Sequence, residues 1–155
     1  MEIMPAELSD AEDILKIQKI AFQEEARRYD DYDIPPLQQT IDELKTQFKT
    51  HLILKAIIDG KIIGTVRAYE EDGTCFIGRL AVHPDVQNRG IGAALMIEIE
   101  RQFNPSRYEL FVGAKSGNNI HLYTKLGYTA FTKAGECCGS VETLFMEKWS
   151  SHSHQ

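Results

Sequence analysis

Three β-branched runs lie end to end in the middle of the chain, Leu52–Ile58, Ile62–Tyr69 and Thr74–Val82. Asp59-Gly60 separates the first two, and Asp72-Gly73 precedes the third. Asp-Gly favours the tight turn whose twist matches that of flanking strands, so these runs predict an antiparallel meander that the rest of the chain must cover. Pro84 stops the third run. At 155 residues, with 43% hydrophobic and 26% charged residues, the chain has the means to build one covered domain and lacks the bias of a disordered segment.

The flanking segments supply the remaining elements. Glu2–Ala6 reads as a short first strand, and Ser9 with Glu12 fits a capping box ahead of Ile14, Ile17 and Ala21 at helical spacing. Glu24–Pro36 (EEARRYDDYDIPP) is charged, aromatic and closed by two prolines, and reads as a loop. Pro36 suits the first turn of a second helix with the stripe Leu37, Ile41, Leu44 and Phe48. Beyond Pro84, Ile91, Leu95, Ile99 and Phe103 mark a third helix opening at a glycine-rich segment. Tyr108–Val112 reads as a strand, Asn118–Leu126 as a short helix with Gly127 as its C-terminal cap, and Tyr128–Cys137 and Val141–Lys148 as closing strands. The order predicts an α/β (α+β) domain over residues 1–149, a mixed sheet with helices on its faces, and a disordered tail at 150–155.

Charge and cysteine usage narrow the function classes. A net charge of −6 argues against a dedicated binder of nucleic acid or anionic membrane, and no apolar run approaches a membrane span. Cys75, the adjacent Cys137 and Cys138, and the lack of a signal peptide predict reduced thiols and a cytoplasmic protein. No C-x-x-C is present and the histidines are scattered, so no metal is expected; His51, His83 and His121 read as surface or turn residues. Cys137 and Cys138 read as buried in a late strand or at a subunit contact.

The stretch Ile77–Met96 (IGRLAVHPDVQNRGIGAALM) carries the chemistry. A strand ends at Val82, the chain turns at His83-Pro84, and Gln87-Asn88-Arg89-Gly90-Ile91-Gly92-Ala93 leads into a helix. Glycine lets backbone approach a ligand closely, the first amides of a helix have no intrahelical acceptor, and Arg89 adds positive charge. That combination suits a pyrophosphate. A Walker loop is excluded because Ala93-Ala94 follow Gly92, and a Rossmann fingerprint because antiparallel strands precede the loop. A glycine-rich turn without a ligand is the remaining alternative.

Gln87–Ala93 resembles the Q/R-x-x-G-x-G/A signature of the GNAT superfamily of N-acetyltransferases, and Asn119–Tyr128 (NIHLYTKLGY) resembles its LYxKxGF segment. Element order is similar throughout. The resemblance implies a mostly antiparallel sheet of about seven strands with four helices, splayed between the fourth and fifth strands. It implies acetyl-CoA as co-substrate, with its pantetheine arm on Leu80, Ala81 and Val82, its pyrophosphate on Asn88–Ala93, and Asn119 as a further contact. It also implies Tyr123 as general acid. Asn119 and Tyr123, four apart on a short helix, share one face. Many relatives carry an asparagine where this chain has Ser116, and some place a glutamate base where it has Phe76.

The expected activity is direct acetyl transfer from acetyl-CoA to a primary amine of a small molecule or peptide, since Cys75 has no evident histidine partner for a thiol route. A CoA-sensing or protein-interaction module, and a transferase using another acyl-CoA, are the alternatives. The closing strands are where relatives pair as homodimers. Glu109 is a weak candidate base. Arg67 and Arg79, on neighbouring strands, either line the cleft and favour an anionic substrate or are solvated. Tyr29, Asp30, Asp31, Tyr32 and Asp33 either form an acceptor wall that attracts a cationic amine or a solvated acidic loop.

Overall fold

The computed structural model describes residues 1–136 and 142–150. Seven strands form one sheet: β1 (Glu2–Pro5), β2 (Leu52–Ile58), β3 (Lys61–Glu71), β4 (Thr74–Val82), β5 (Arg107–Gly113), β6 (Thr129–Glu136) and β7 (Glu142–Trp149). Their spatial order is β1-β2-β3-β4-β5-β7-β6, and every described pair is antiparallel except β4 with β5. The Asp-Gly turns work as expected, with Asp59, Gly60, Asp72 and Gly73 all at positive φ.

Five helices complete the domain: α1 (Ala11–Tyr29), α2 (Pro35–Gln38), α3 (Ile41–Gln47), α4 (Ile91–Arg101) and α5 (Gly117–Lys125). Strand alternation assigns them to the two faces. Leu54, Ala56, Val66 and Ala68 point to a core shared with Ile91, Leu95, Met96 and Ile99 of α4. Ile53 points the other way, to Ala11 and Ile14 of α1 and Leu44 of α3.

Helix boundaries depart from the sequence reading in three places. The cap before α1 lies earlier: the Asp10 carboxylate accepts from the Glu7 amide (2.8 Å) and from Lys55 Nζ (2.7 Å), and Ser9 lies inside a short 3-10 turn. Helix α1 then runs through Glu24–Tyr29, which had read as loop. No glycine or proline interrupts it there, and Glu24 and Glu25 pair with Arg28 at 3.9 and 3.4 Å. It ends where Asp30 turns left-handed (φ 50°). The expected second helix is divided in two, because Thr40 caps α3 in a capping box with Glu43. Hence five helices are present among the described residues where four were expected.

Pairing between β4 and β5 covers only Thr74–Phe76 opposite Arg107–Glu109. Beyond that point the strands splay, as expected. Glu100 of α4 closes the structure at the opposite end: its carboxylate accepts from Tyr128 Oη (2.8 Å) and Lys148 Nζ (2.7 Å), and its carbonyl from Tyr108 Oη (3.1 Å). Ser150, placed in the tail by the sequence reading, is anchored to the carbonyls of Pro105 and Ser106. Cys137, Cys138 and Val141 lie outside the described residues.

Tyr128 is 1% exposed, so removing its hydroxyl leaves a Glu100 oxygen short of a buried donor. Tyr128→Phe is expected to cost about 1–3 kcal/mol of stability without changing the urea m-value, read by equilibrium unfolding.

Candidate functional site

The loop from β4 into α4 is held by its own side chains. The His83 amide donates to the Ile63 carbonyl (2.8 Å), His83 Nδ1 accepts from the Asp85 amide (3.1 Å), and Gln87 Nε2 donates to the Val82 carbonyl (3.3 Å). Asn88 and Gly90 follow at φ 64° and 80°, and Gly90 is the N-cap of α4 with no side-chain cap. The amides of the first helical turn, Ile91–Ala93, therefore lack both intrahelical acceptors and a capping oxygen. They border a groove of about 460 Å³. A Cβ on Gly92 would stand 3.4 Å from Leu122 and 3.8 Å from Leu80, which also border that groove.

Of the residues expected at the cofactor, Leu80, Ala81, Val82, Gln87, Asn88, Gly90, Ile91, Gly92, Ala93 and Asn119 all line this groove. Arg89 does not; it is exposed beside it. The groove's cations are instead Arg28 of α1 and Lys125 of α5, which sequence reasoning missed. Arg28 was hidden because its segment had read as loop. Its Nη1 contacts Glu25 (3.4 Å) and donates to Ser116 Oγ (3.5 Å), which also accepts from Asn119 Nδ2 (3.1 Å). Ser116, at the position where relatives carry asparagine, is thus a buried link between α1 and α5.

A second cavity of about 420 Å³ opens in the wedge between β4 and β5. It meets the groove at Phe22, Glu25, Leu80 and Asn119, which line both. Tyr123 lines the second cavity at 7% exposure, and burial, with Glu25 nearby, pushes its phenol pKa well up. The hydroxyl keeps its proton at neutral pH. Cys75 is wholly buried and its thiol is pushed up to about 12, which keeps it protonated and fits no thiol route.

Arg67, Arg79 and Glu109 also line the cavity, Arg67 buried and the other two half-buried. Glu109 is bound to Arg107 at 2.9 Å. Arg67 faces Gly78 across the β3–β4 ladder, and one extra residue on β4 before Thr65 pairs with Ala81 makes a bulge. Arg79 sits in that bulge at φ 55°, which allows both arginines to reach the same cavity. His51, read as a surface or turn residue, lines it too, edge-on to Tyr69 at 4.9 Å.

Tyr29, Asp31 and Tyr32 lie elsewhere. The Tyr29 hydroxyl accepts from the Lys115 amide (2.6 Å), tying α1 to the β5–α5 turn, and neither cavity includes it. Asp31 accepts from the Asp33 amide (2.9 Å), and Tyr32 is 51% exposed. From that segment the cavity takes Ile34, Pro35 and Pro36. Among the described residues, no group of three His, Cys, Asp or Glu could hold a metal, and no helix is long and apolar enough to cross a membrane.

Comparison with known proteins agrees with the fold. UPF0157 protein YqkA of Bacillus subtilis is 27% identical over 123 residues, a match taking in 79% of this chain and 35% of that protein, so the chain spans about a third of its length. The PaiA N-acetyltransferase of Thermoplasma acidophilum, solved in complex with coenzyme A, superposes with a TM-score of 0.71 at 19% identity, covering 96% of this chain and 98% of that one. The ribosomal-protein-S18-alanine N-acetyltransferase of Escherichia coli gives 0.74 at 20% identity, covering 96% and 92%. Residues 11–128 match the sequence profile of the Acetyltransferase (GNAT) family, and the chain belongs to that family.

Proposed function

We propose that this protein is an acetyl-CoA-dependent N-acetyltransferase that moves the acetyl group directly to a primary amine of a small molecule or peptide. The observation that carries the reading is the junction of two cavities at the β4–β5 splay. One is bordered by uncapped helix amides, and the other holds a buried phenol. The residues present fit the coenzyme. Helix amides with Arg28 and Lys125 suit a pyrophosphate, and β4 beyond Phe76 has an edge that β5 does not pair, open to an amide-bearing arm. The Thermoplasma protein of the same fold binds coenzyme A.

Acetyl-CoA, when bound, supplies a thioester whose sulfur leaves with the C–S electron pair as an amine nitrogen forms the new C–N bond. In this reading the Ile91–Ala93 amides hold the phosphates, and the Leu80–Val82 edge orients the arm toward the junction. Tyr123 holds a proton at its hydroxyl and passes it to the departing sulfur. Its raised pKa keeps that proton in place until negative charge develops. The proton that the amine loses goes to water and a proton returns from water to the Tyr123 phenolate, which closes the cycle; Glu25 and Glu109 on the cavity wall are each held by an arginine. Phe22, Phe111 and Phe145 keep the wall apolar, which strengthens each polar contact inside it.

Two measurements test this. Gly92→Val puts a branched side chain at the groove, and should weaken acetyl-CoA binding at least tenfold, about 1.4 kcal/mol, by calorimetry on the folded variant. Tyr123→Phe should slow single-turnover acetyl transfer about a hundredfold while acetyl-CoA affinity barely changes. A chemical step as fast as wild type removes the catalytic role of Tyr123.

A further inference from the structure

A buried polar cluster lies beside the second cavity, between β3 and the segment from α1 to α3. Arg67, only 3% exposed, lies on β3, and its guanidinium donates to the side-chain oxygens of Gln18, Gln39 (3.3 Å) and Gln47. All three partners are neutral. Their orientation is set by their own donors: Gln18 Nε2 bonds to the Pro36 carbonyl (2.8 Å) and Gln39 Oε1 (3.0 Å), and Gln39 Nε2 bonds to Gln47 Oε1 (2.9 Å). The carboxamides thus satisfy hydrogen-bonding capacity and supply no compensating charge. A buried cation without a counter-charge is costly, and Arg79 in the same cavity adds a second positive charge.

The two carboxylates among the residues lining the cavity are held by other arginines, Glu25 by Arg28 and Glu109 by Arg107. Glu43 interacts electrostatically with Arg79, but it is exposed and its carboxylate accepts from the Thr40 amide (2.8 Å). Burial and the Arg79 charge bring the Arg67 pKa down to about 9, which leaves it cationic at neutral pH, and burial, helped by the same two arginines, holds His51 below its ordinary value. Tyr69 and Phe76, stacked at 5.2 Å, form an apolar wall beside them.

Resting on the acetyltransferase reading, we infer that the acceptor is an amine that also bears an acidic group, a carboxylate or phosphonate, which seats on Arg67 and Arg79. The planar guanidinium fork matches both anions, and the substrate would bring a counter-charge to the buried Arg67, whose own partners are all neutral. The aspartates that had suggested a cationic acceptor have local roles instead: Asp30 caps α1 and Asp31 closes a turn onto Asp33.

The test uses matched compounds: amino acids and aminoalkylphosphonates against alkylamines and amino amides of the same length. CoA release should favour the acidic member of each pair at least tenfold in kcat/KM, and the two acid classes distinguish which anion is preferred. Arg79→Gln should reduce that preference to about twofold or less with acetyl-CoA affinity intact. Arg67→Gln, with its fold checked by circular dichroism, should do the same. The compounds are also titrated by calorimetry onto the protein–CoA complex, where no transfer occurs. Acid-selective binding there supports the anion site even if no amine is acetylated, a result that would overturn the transferase reading alone. Equal or better use and binding of the neutral members, or a preference that survives both substitutions, overturns the inference.

Discussion

The parallel contact between β4 and β5 lasts three residue pairs and then stops, and the whole arrangement of the site follows from that interruption. A sheet cannot leave a strand edge inside a protein without giving its backbone groups something to bond. Here the bulge at Arg79 turns β4 just beyond its last pair with β5, and helices close over the opening from both faces. Helix α1 contributes Phe22 and Glu25 from one side, and α5 contributes Asn119 and Tyr123 from the other. The result is a slot with an unpaired β4 edge, where the groove meets a second cavity lined by aromatic rings and by Arg67 and Arg79.

The rigid parts of the molecule hold that slot open. Leu95, Met96 and Ile99 seat α4 on β2 and β3, which fixes where its N-terminal amides point. Glu100 at the other end of the same helix collects Tyr108, Tyr128 and Lys148. The LYTKLGY segment therefore serves two ends at once: Tyr123 faces the cavity, and Tyr128 anchors to α4. Their rings meet edge-on at 6.1 Å, so placement of one constrains the other.

Electrostatics is arranged locally. The chain carries a net charge of −6, yet Arg28 and Lys125 flank the groove and Arg67 and Arg79 share the cavity. Net charge reports long-range repulsion and solubility, whereas recognition depends on a few groups in a low-dielectric pocket, so the two need not agree in sign.

Local patterns in the sequence determined the meander, the glycine-opened helix α4 and the α5–β6 junction, because each rests on neighbours within a turn or two: Asp-Gly at the hairpins, Gly90 at the helix start, Gly127 at the α5 cap. The family motifs marked the groove from Leu80 to Ala93 for the same reason, as one continuous stretch of chain. Tertiary structure alone decided the rest. The length of α1 was hidden because its acidic and basic residues look like solvent-facing loop until their i,i+4 pairing and burial of Ala26 are seen. Arg28 and Ser116 lie 88 residues apart and meet only across the fold. Whether Arg67 and Arg79 faced open solvent or a cavity depended on one extra residue in β4 and on three glutamines from α1 and the α2–α3 region. No local pattern encodes where such distant side chains converge, because their contact is set by how the helices pack on the sheet.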